Sequence, residues 1–416
     1  MSGKRDGDVG TRPETGGEAA RSPLTAHRSP APDLASVREQ EFPWTADTIY
    51  LNNASVGPLP ERTRKVLDEF NRKRAAPFQL PDRDLFATMA ESRRLAAELI
   101  GAVPEEIALT INTGFGLSMA ARSLPLRPGD IVLASDKEFP ANIYPWMLLK
   151  GSGITLELAP TTGEGWPDEA HLLDRLSDPR VKVLAVSLVQ FSNGYTVDLA
   201  RLSAATRASG TYLVVDAIQG VGQLPVDVRT TPVDILACGA QKWLLSPWGS
   251  GFVYVRRELV RELTPSVTGW MAFEGTEDFT RLTEYRDTLR GDARRFELIT
   301  LPYQDFAGMN ASLGLLLSVG IPRIAQHLQA LHAPVLAWAA RRGVRVVSPG
   351  DKRGSGILCV QPPDVGEAFR RLKGARVIAS MREGAIRLSP HLYNTVQEME
   401  RVVEILEGQG SITSRT

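Results

Sequence analysis

Apolar residues in this chain fall into two rhythms. The runs "DIVLASD" at 130–136, "VKVLAVSLV" at 181–189, "TYLVVDA" at 211–217, "VDILACGA" at 233–240 and "GFVYVR" at 251–256 are short and nearly unbroken. Such runs suit strands covered on both faces. Between several of them lie amphipathic helical patterns, "DEAHLLDRLSD" and "DLARLSAATRASG" among them. Strands alternating with helices predict an α/β fold in which a mainly parallel sheet is sandwiched by helices. In such sheets ligands sit beyond the carboxyl ends of the strands, so polar residues just after an apolar run are the candidates for chemistry. Past about residue 298 the rhythm changes to a long helical stretch, "FAGMNASLGLLLSVGIPRIAQHLQALHAPVLAWAARRG", then short strands and a final helix. That change predicts a second, smaller α+β domain. The expected division is a large domain over 62–298 and a small one built from 41–61 and 299–416.

The opening "MSGKRDGDVGTRPETGGEAARSPLTAHRSPAPDL" lacks both rhythms. Rich in Gly, Pro, Arg, Ser and Thr, residues 1–40 are expected to form a disordered arm. The arm has no continuous apolar core of a secretory signal, and no later run is apolar for the roughly 18 residues a membrane helix needs. Its arginines leave a weak organelle-targeting alternative, against which its acidic residues count, and a cytoplasmic protein is expected. Forty-eight basic residues balance forty-eight acidic ones across 416 residues, so no net field draws the chain to nucleic acid or an anionic membrane. A small-molecule partner fits better. The two cysteines, Cys238 and Cys359, both lie inside apolar runs, which argues against a disulfide framework and for a reducing compartment.

HExxH, paired CxxC, GxSxG and GxxxxGK[ST] are all missing, so metal, hydrolase-elbow and P-loop chemistry lack support. Three candidates follow apolar runs. "TINTGFGLSMAA" at 110–121 puts Thr113, Gly114 and Phe115 in a turn feeding a helix, where free N–H groups suit a phosphate; an ordinary turn with an N-cap is the alternative. Asp216 ends a strand and Gln219 follows it; a carboxylate there is costly to bury without a cation or a protonated ring nitrogen, although a turn or capping aspartate reads equally well. Lys242, in "GAQKWLLSPWGSGFVYV", has apolar neighbours that lower the pKa of an amine toward the neutral nucleophile, and its alternative is a lysine snorkelling from a strand end. A phosphate, a protonated ring nitrogen and an aldehyde condensed with Lys242 together describe pyridoxal 5'-phosphate.

The same residues resemble the class V aminotransferases of the fold-type I pyridoxal phosphate enzymes, a family that is similar to the cysteine desulfurases, kynureninase and isopenicillin N epimerase. The resemblance runs through "YLNNASVGPLP", "NTGFG", "KEFPANIYPW", "VVDAIQGVGQLPVDV", "AQKWLLSPWGSGFVYV", "RRFE" and "IRLSPHLYNT". It implies that Lys242 carries the cofactor, Asp216 meets its ring nitrogen, Gln219 its phenolic oxygen, Phe139 stacks on its ring, and Thr113 and Gly114 hold its phosphate. Thr300 is implied to reach the phosphate of a partner subunit in a homodimer with shared sites, and Arg387 to clamp the substrate α-carboxylate. Departures stand out. Gln241 replaces a frequent histidine before the lysine and becomes a provisional phosphate contact, Gly239 replaces a frequent serine, and Asn193 is a substitute substrate contact near Phe191.

The implied chemistry begins with loss of the amino acid's α-proton to Lys242. Transamination is the leading expectation, with epimerisation or β-elimination as alternatives. Cysteine desulfuration is disfavoured, because Arg382 and Glu383 stand about where such relatives place a mobile cysteine. Outside this class, a nucleotide-binding α/β protein explains the glycine turn and Asp216 but not Lys242 or Arg387. A catalytically silent member of the fold would lack Lys242 or Asp216, and both are present.

Overall fold

The computed structural model describes residues 31–350 and 352–408. Seven strands build the central sheet: β1 (Ile107–Leu109), β2 (Ile131–Ser135), β3 (Thr155–Ala159), β4 (Val181–Ser187), β5 (Tyr212–Asp216), β6 (Ile235–Gly239) and β7 (Gly251–Val255). Their order across the sheet is β1-β7-β6-β5-β4-β2-β3. Only β7 opposes its neighbours; the pairs from β6 across to β3 are parallel. All five predicted strands are present. The unpredicted β1 and β3 are the two edges, and β3 ("TLELA") has partly exposed positions rather than a buried run.

Because side chains alternate across a strand, each run feeds two cores. Leu133, Leu184, Val186, Leu213, Val215 and Leu236 pack on one face of the sheet. Val132, Ala134, Val183, Ala185, Val214 and Ile235 pack on the other. This double burial is why the runs are apolar without alternation. The predicted helices appear as Glu169–Arg175 and Leu199–Ser209, capped by Asp168 and Asp198, whose carboxylates accept the backbone N–H of His171 and Arg201. These caps satisfy first-turn donors that have no partner inside the helix.

The long apolar stretch forms two helices, Tyr303–Val319 and Ile321–Arg342, separated by Gly320 at φ 90°. The first packs on the helices Glu61–Arg74 and Asp82–Ile100, with Thr63 and Ser312 hydroxyls 2.7 Å apart and Ser92 donating to Asn310 at 2.7 Å. The predicted smaller α+β portion contains an antiparallel sheet of β8 (Arg345–Val346), β9 (Leu358–Gln361), β10 (Ser380–Arg382) and β11 (Ala385–Leu388), ordered β10-β11-β9-β8.

One expectation is corrected here. Residues 34–40, assigned to a disordered arm, belong to the helix Leu34–Glu41, capped by Asp33. Val37 is buried, and Arg38 pairs with Glu398 at 2.7 Å while donating to the Thr45 carbonyl at 2.9 Å and to the Tyr393 carbonyl. Composition missed this because a single apolar residue and one arginine anchor the turn. Residues 1–30 of the arm lie outside the described residues. Among the described residues, no helix is long and apolar enough to cross a membrane.

Candidate active site

The predicted residues converge beyond the carboxyl ends of the sheet, where parallel strands leave a crevice. Asp216 is the last residue of β5, and Gly239 ends β6 just before the loop that carries Lys242. That loop is held from several sides. Gly57 donates its N–H to the Gln241 carbonyl at 2.8 Å, and its Cα approaches so closely that a Cβ would lie 2.1 Å from the Lys242 carbonyl oxygen. The imidazole of His391 accepts the Leu392 N–H at Nδ1, 2.7 Å, which leaves Nε2–H to donate to the Trp243 carbonyl at 3.1 Å. Burial lowers the His391 pKa to about 3, so this neutral clamp persists across the physiological range.

Lys242 donates no hydrogen bond and forms no ion pair among the described residues; its Nζ sits 5.5 Å from the centroid of the Phe139 ring. Desolvation lowers its pKa to about 8. The Asp216 charge opposes that shift, and those of Arg387 and Arg382 reinforce it. Asp216 is 2% exposed, and among the described residues its carboxylate accepts one hydrogen bond, from Ile218 N at 3.1 Å. Burial raises its pKa to about 6, against the opposing pull of the Ile218 N–H and Lys242. A buried acid and a buried amine, each short of partners, are unstable fittings for an empty pocket and natural ones for a polar ligand.

Gln219 is locked by the protein at both ends. Its Oε1 accepts the Trp243 indole N–H at 2.8 Å and its Nε2 donates to the Ala54 carbonyl at 2.9 Å, which leaves the second amide hydrogen for a ligand oxygen. At the other end of the crevice Thr113 opens the helix Thr113–Ser123. Its Oγ1 accepts the Gly239 N–H at 2.8 Å, so the hydroxyl proton remains available to an anion. Gly239 leaves room that a side chain would fill: a Cβ there would meet Gln241 Oε1 at 2.6 Å and Thr113 Oγ1 at 3.1 Å. The Gly239 and Gln241 departures are therefore coupled, since the glutamine folds into the space beside the threonine.

Two residues expected as contacts have local hydrogen-bond partners. The Phe115 N–H is spent on the capping Asn112 carboxamide at 2.8 Å, and Phe115 instead borders a cavity of about 350 Å³ with Thr110, Ile111, Leu298 and Thr300. Asn193 is committed to its loop, accepting from Tyr195 N at 3.0 Å and donating to the Gly165 carbonyl at 3.0 Å. Thr300 is exposed. The "RRFE" segment that precedes it is structural: Glu297 pairs with Arg93 at 2.6 Å and accepts the Leu109 N–H at 2.9 Å.

Arg387 is 1% exposed and, among the described residues, has only neutral partners: the Phe191 carbonyl at 2.7 Å, Ser55 Oγ at 2.7 Å and Ser380 Oγ at 3.2 Å. A buried guanidinium without a carboxylate is set for an incoming anion. Three contributors escaped the sequence reading. Ser55 and the Ala54 carbonyl bring the 52–57 segment over the site. Glu138 accepts Ser187 N at 2.9 Å, the Ser187 hydroxyl and Gln190 Nε2 at 2.8 Å, and so ties the loop bearing Phe139 to β4. Burial raises the Glu138 pKa. The detectable signal was a carboxylate next to the stacking residue in "KEFPAN"; Ser55 gave none, because its partner is 332 residues away.

The profile of the Aminotransferase class-V family matches residues 49–402. The chain belongs to this family. The enzyme is similar to an uncharacterized aminotransferase, YcbU, of Bacillus subtilis, with 31% identity over 75% of this chain and 81% of that one. It is also similar to a probable cysteine desulfurase of Methanothermobacter thermautotrophicus, with 28% identity over 88% of this chain and 96% of that one. In structure it resembles the apo cysteine desulfurase of Thermococcus onnurineus, with TM-score 0.81 at 23% identity over 91% of this chain and 99% of that one, a likeness of fold. Class-V members are pyridoxal-phosphate-dependent, and pyridoxal phosphate is the cofactor of this enzyme. The residues present fit it: an unpartnered amine, a buried acid, a spare amide hydrogen and a helix N-terminus with a donor hydroxyl lie along one crevice.

Proposed function

We propose that the enzyme transaminates an α-amino acid, working as a homodimer in the cytoplasm. Pyridoxal phosphate, when bound, supplies the electron-withdrawing ring that makes the α-C–H acidic. Lys242 would carry it, Asp216 would meet its ring nitrogen, Gln219 its phenolic oxygen, Phe139 one ring face, and Thr113, Gly114 and Gln241 its phosphate. Arg387 holds the substrate α-carboxylate, Lys242 Nζ takes the α-proton and returns it, and Thr300 reaches across to the partner subunit. The observation that carries this reading is the setting of the Lys242 amine. Its pKa near 8 makes it a working base, and the group facing it is the Phe139 ring, which can neither give nor take a proton. Phe139 offers no second base for two-base epimerisation, which favours transamination through Lys242 alone.

Sulfur transfer is the second reading, favoured by the similarity to a probable cysteine desulfurase. Against it, Cys359 lies in β9 with its thiol donating to the Ser192 carbonyl at 3.1 Å, and burial pushes its pKa up to about 12. Burial raises the pKa of Cys238 as well. Neither is a mobile thiolate. The test begins with borohydride reduction and peptide mapping, which should place the cofactor on Lys242. A panel of amino acids is then scored for keto acid, inverted stereochemistry and released fragments, with mass spectrometry for sulfur added to either cysteine. Keto acid without persulfide is expected; inversion, fragments or a persulfide on Cys359 without keto acid would overturn transamination.

A further inference from the structure

Arg382 and Arg387 converge on one hydroxyl. Arg387, on β11, donates from Nη2 to Ser55 Oγ at 2.7 Å, and Arg382, on β10, approaches the same oxygen with its own Nη2 at 3.4 Å. The second distance is at the limit of a hydrogen bond, so Arg382 is near Ser55 without being tied there. Its Nη1 donates to the Met381 carbonyl at 2.7 Å, within its own strand. The hairpin sets the pair in register, with Ser380 opposite Arg387 and Arg382 opposite Ala385. Among the described residues, every hydrogen-bond acceptor of these two guanidiniums is a carbonyl or a hydroxyl. Two like charges gathered on a neutral oxygen repel, and hydroxyls and carbonyls do not neutralise them. Arg387 is buried and Arg382 half-buried, so one cation lies deep and the other nearer solvent. The charges of both arginines lower the pKa of Lys242.

We propose that Arg382 is a specificity-determining residue: it holds the side-chain carboxylate of a dicarboxylic amino acid whose α-carboxylate is held by Arg387. This rests on the amino-acid reading of the site above. One arginine matches one carboxylate; two arginines with no acid of their own match a substrate with two. The length of the substrate's carbon chain then sets how its two carboxylates reach the two guanidiniums, and with it the preference among aspartate, glutamate and 2-aminoadipate.

The test uses the holoenzyme and its visible cofactor band, titrated with each acid and with the matching amides asparagine and glutamine. The wild type should bind its best acid at least about tenfold more tightly than the amide, the scale of one charge-assisted contact. In Arg382→Gln that ratio should fall below about two, and in Arg382→Lys it should recover to about three or more. The cofactor band reports folding in each variant. Equal affinity for acid and amide in the wild type would overturn the proposal, as would an undiminished ratio in Arg382→Gln. Equal weakening of acids and amides in that variant would also overturn it, by placing Arg382 on the α-carboxylate instead. A band that no amino acid moves, with the cofactor still fixed on Lys242 by borohydride, overturns the amino-acid reading itself and this proposal with it.

Discussion

Replacing Arg387 with glutamine separates the cost of the buried cation from its use. The guanidinium is 1% exposed, and its pKa is lowered from the ordinary arginine value to about 10, through burial first and the nearby Arg382 charge second. Each pKa unit is ~1.4 kcal/mol, so keeping this group charged penalises the folded state by ~3 kcal/mol. For a base with a depressed folded pKa, that penalty is whole below about pH 10 and is relieved only as pH rises beyond it toward the ordinary arginine value. At pH 7 a neutral glutamine removes it. The substitution also strips donors from the Phe191 carbonyl and the Ser55 and Ser380 oxygens, each worth ~1 kcal/mol net, and the amide recovers one or two of them. The apo variant should therefore lie ~1–2 kcal/mol above the wild type in stability. Breaking a buried ion pair would instead cost ~3–5 kcal/mol. Binding should move the other way, since losing a charge-assisted contact to the α-carboxylate costs ~1.5–3 kcal/mol, roughly tenfold to a hundredfold in affinity. Urea unfolding of both apo proteins at pH 7 reads the first effect. Titration of the cofactor band with an amino acid and with its decarboxylated amine reads the second. A loss of ~3 kcal/mol or more in the variant would refute the unpaired-cation argument, and equal affinity of the wild type for acid and amine would refute the carboxylate role.

Two further outcomes are expected. Asp216 is an acid whose folded pKa, about 6, lies above its ordinary 3.8, so it binds more protons folded than unfolded between those values and its contribution to stability is lost as pH rises through that window. The stability of the apo wild type relative to Asp216→Asn should thus fall by up to ~3 kcal/mol from about pH 4 to pH 6 and stay level above; Glu138 is present in both proteins, and a level difference throughout would show that the Asp216 pKa is not raised. Deleting residues 1–30 should leave cofactor binding and the unfolding midpoint unchanged, whereas deleting 1–41 removes Val37 and the Arg38–Glu398 pair and should lower the midpoint; equal behaviour of the two truncations would show that the Leu34–Glu41 helix contributes nothing.

Much of the site was legible because its parts lie within short, locally encoded junctions. A strand that ends in Asp216 needs nothing distant to place that carboxylate at the carboxyl end of the sheet, and the same holds for Lys242 after β6 and Thr113 at a helix start. At Phe115 and Asn193 the structure shows competing local partners that the sequence reading did not weigh. Each sits in a motif of the right composition, but an N-cap consumes one N–H and a loop consumes the other carboxamide.

The amino-acid sequence by itself determined the strand runs, their burial on two faces, and therefore a parallel sheet with its chemistry at one edge, since hydrophobic periodicity and turn residues act over a few positions. Tertiary structure alone decided the electrostatics. It brought Ser55 to Arg387 and Arg382 across more than 300 residues, left both guanidiniums without a carboxylate among the described residues, and tied Glu138 to Ser187 on β4. Desolvation and charge pairing depend on which atoms surround a group in space, and that neighbourhood exists only once distant segments have packed.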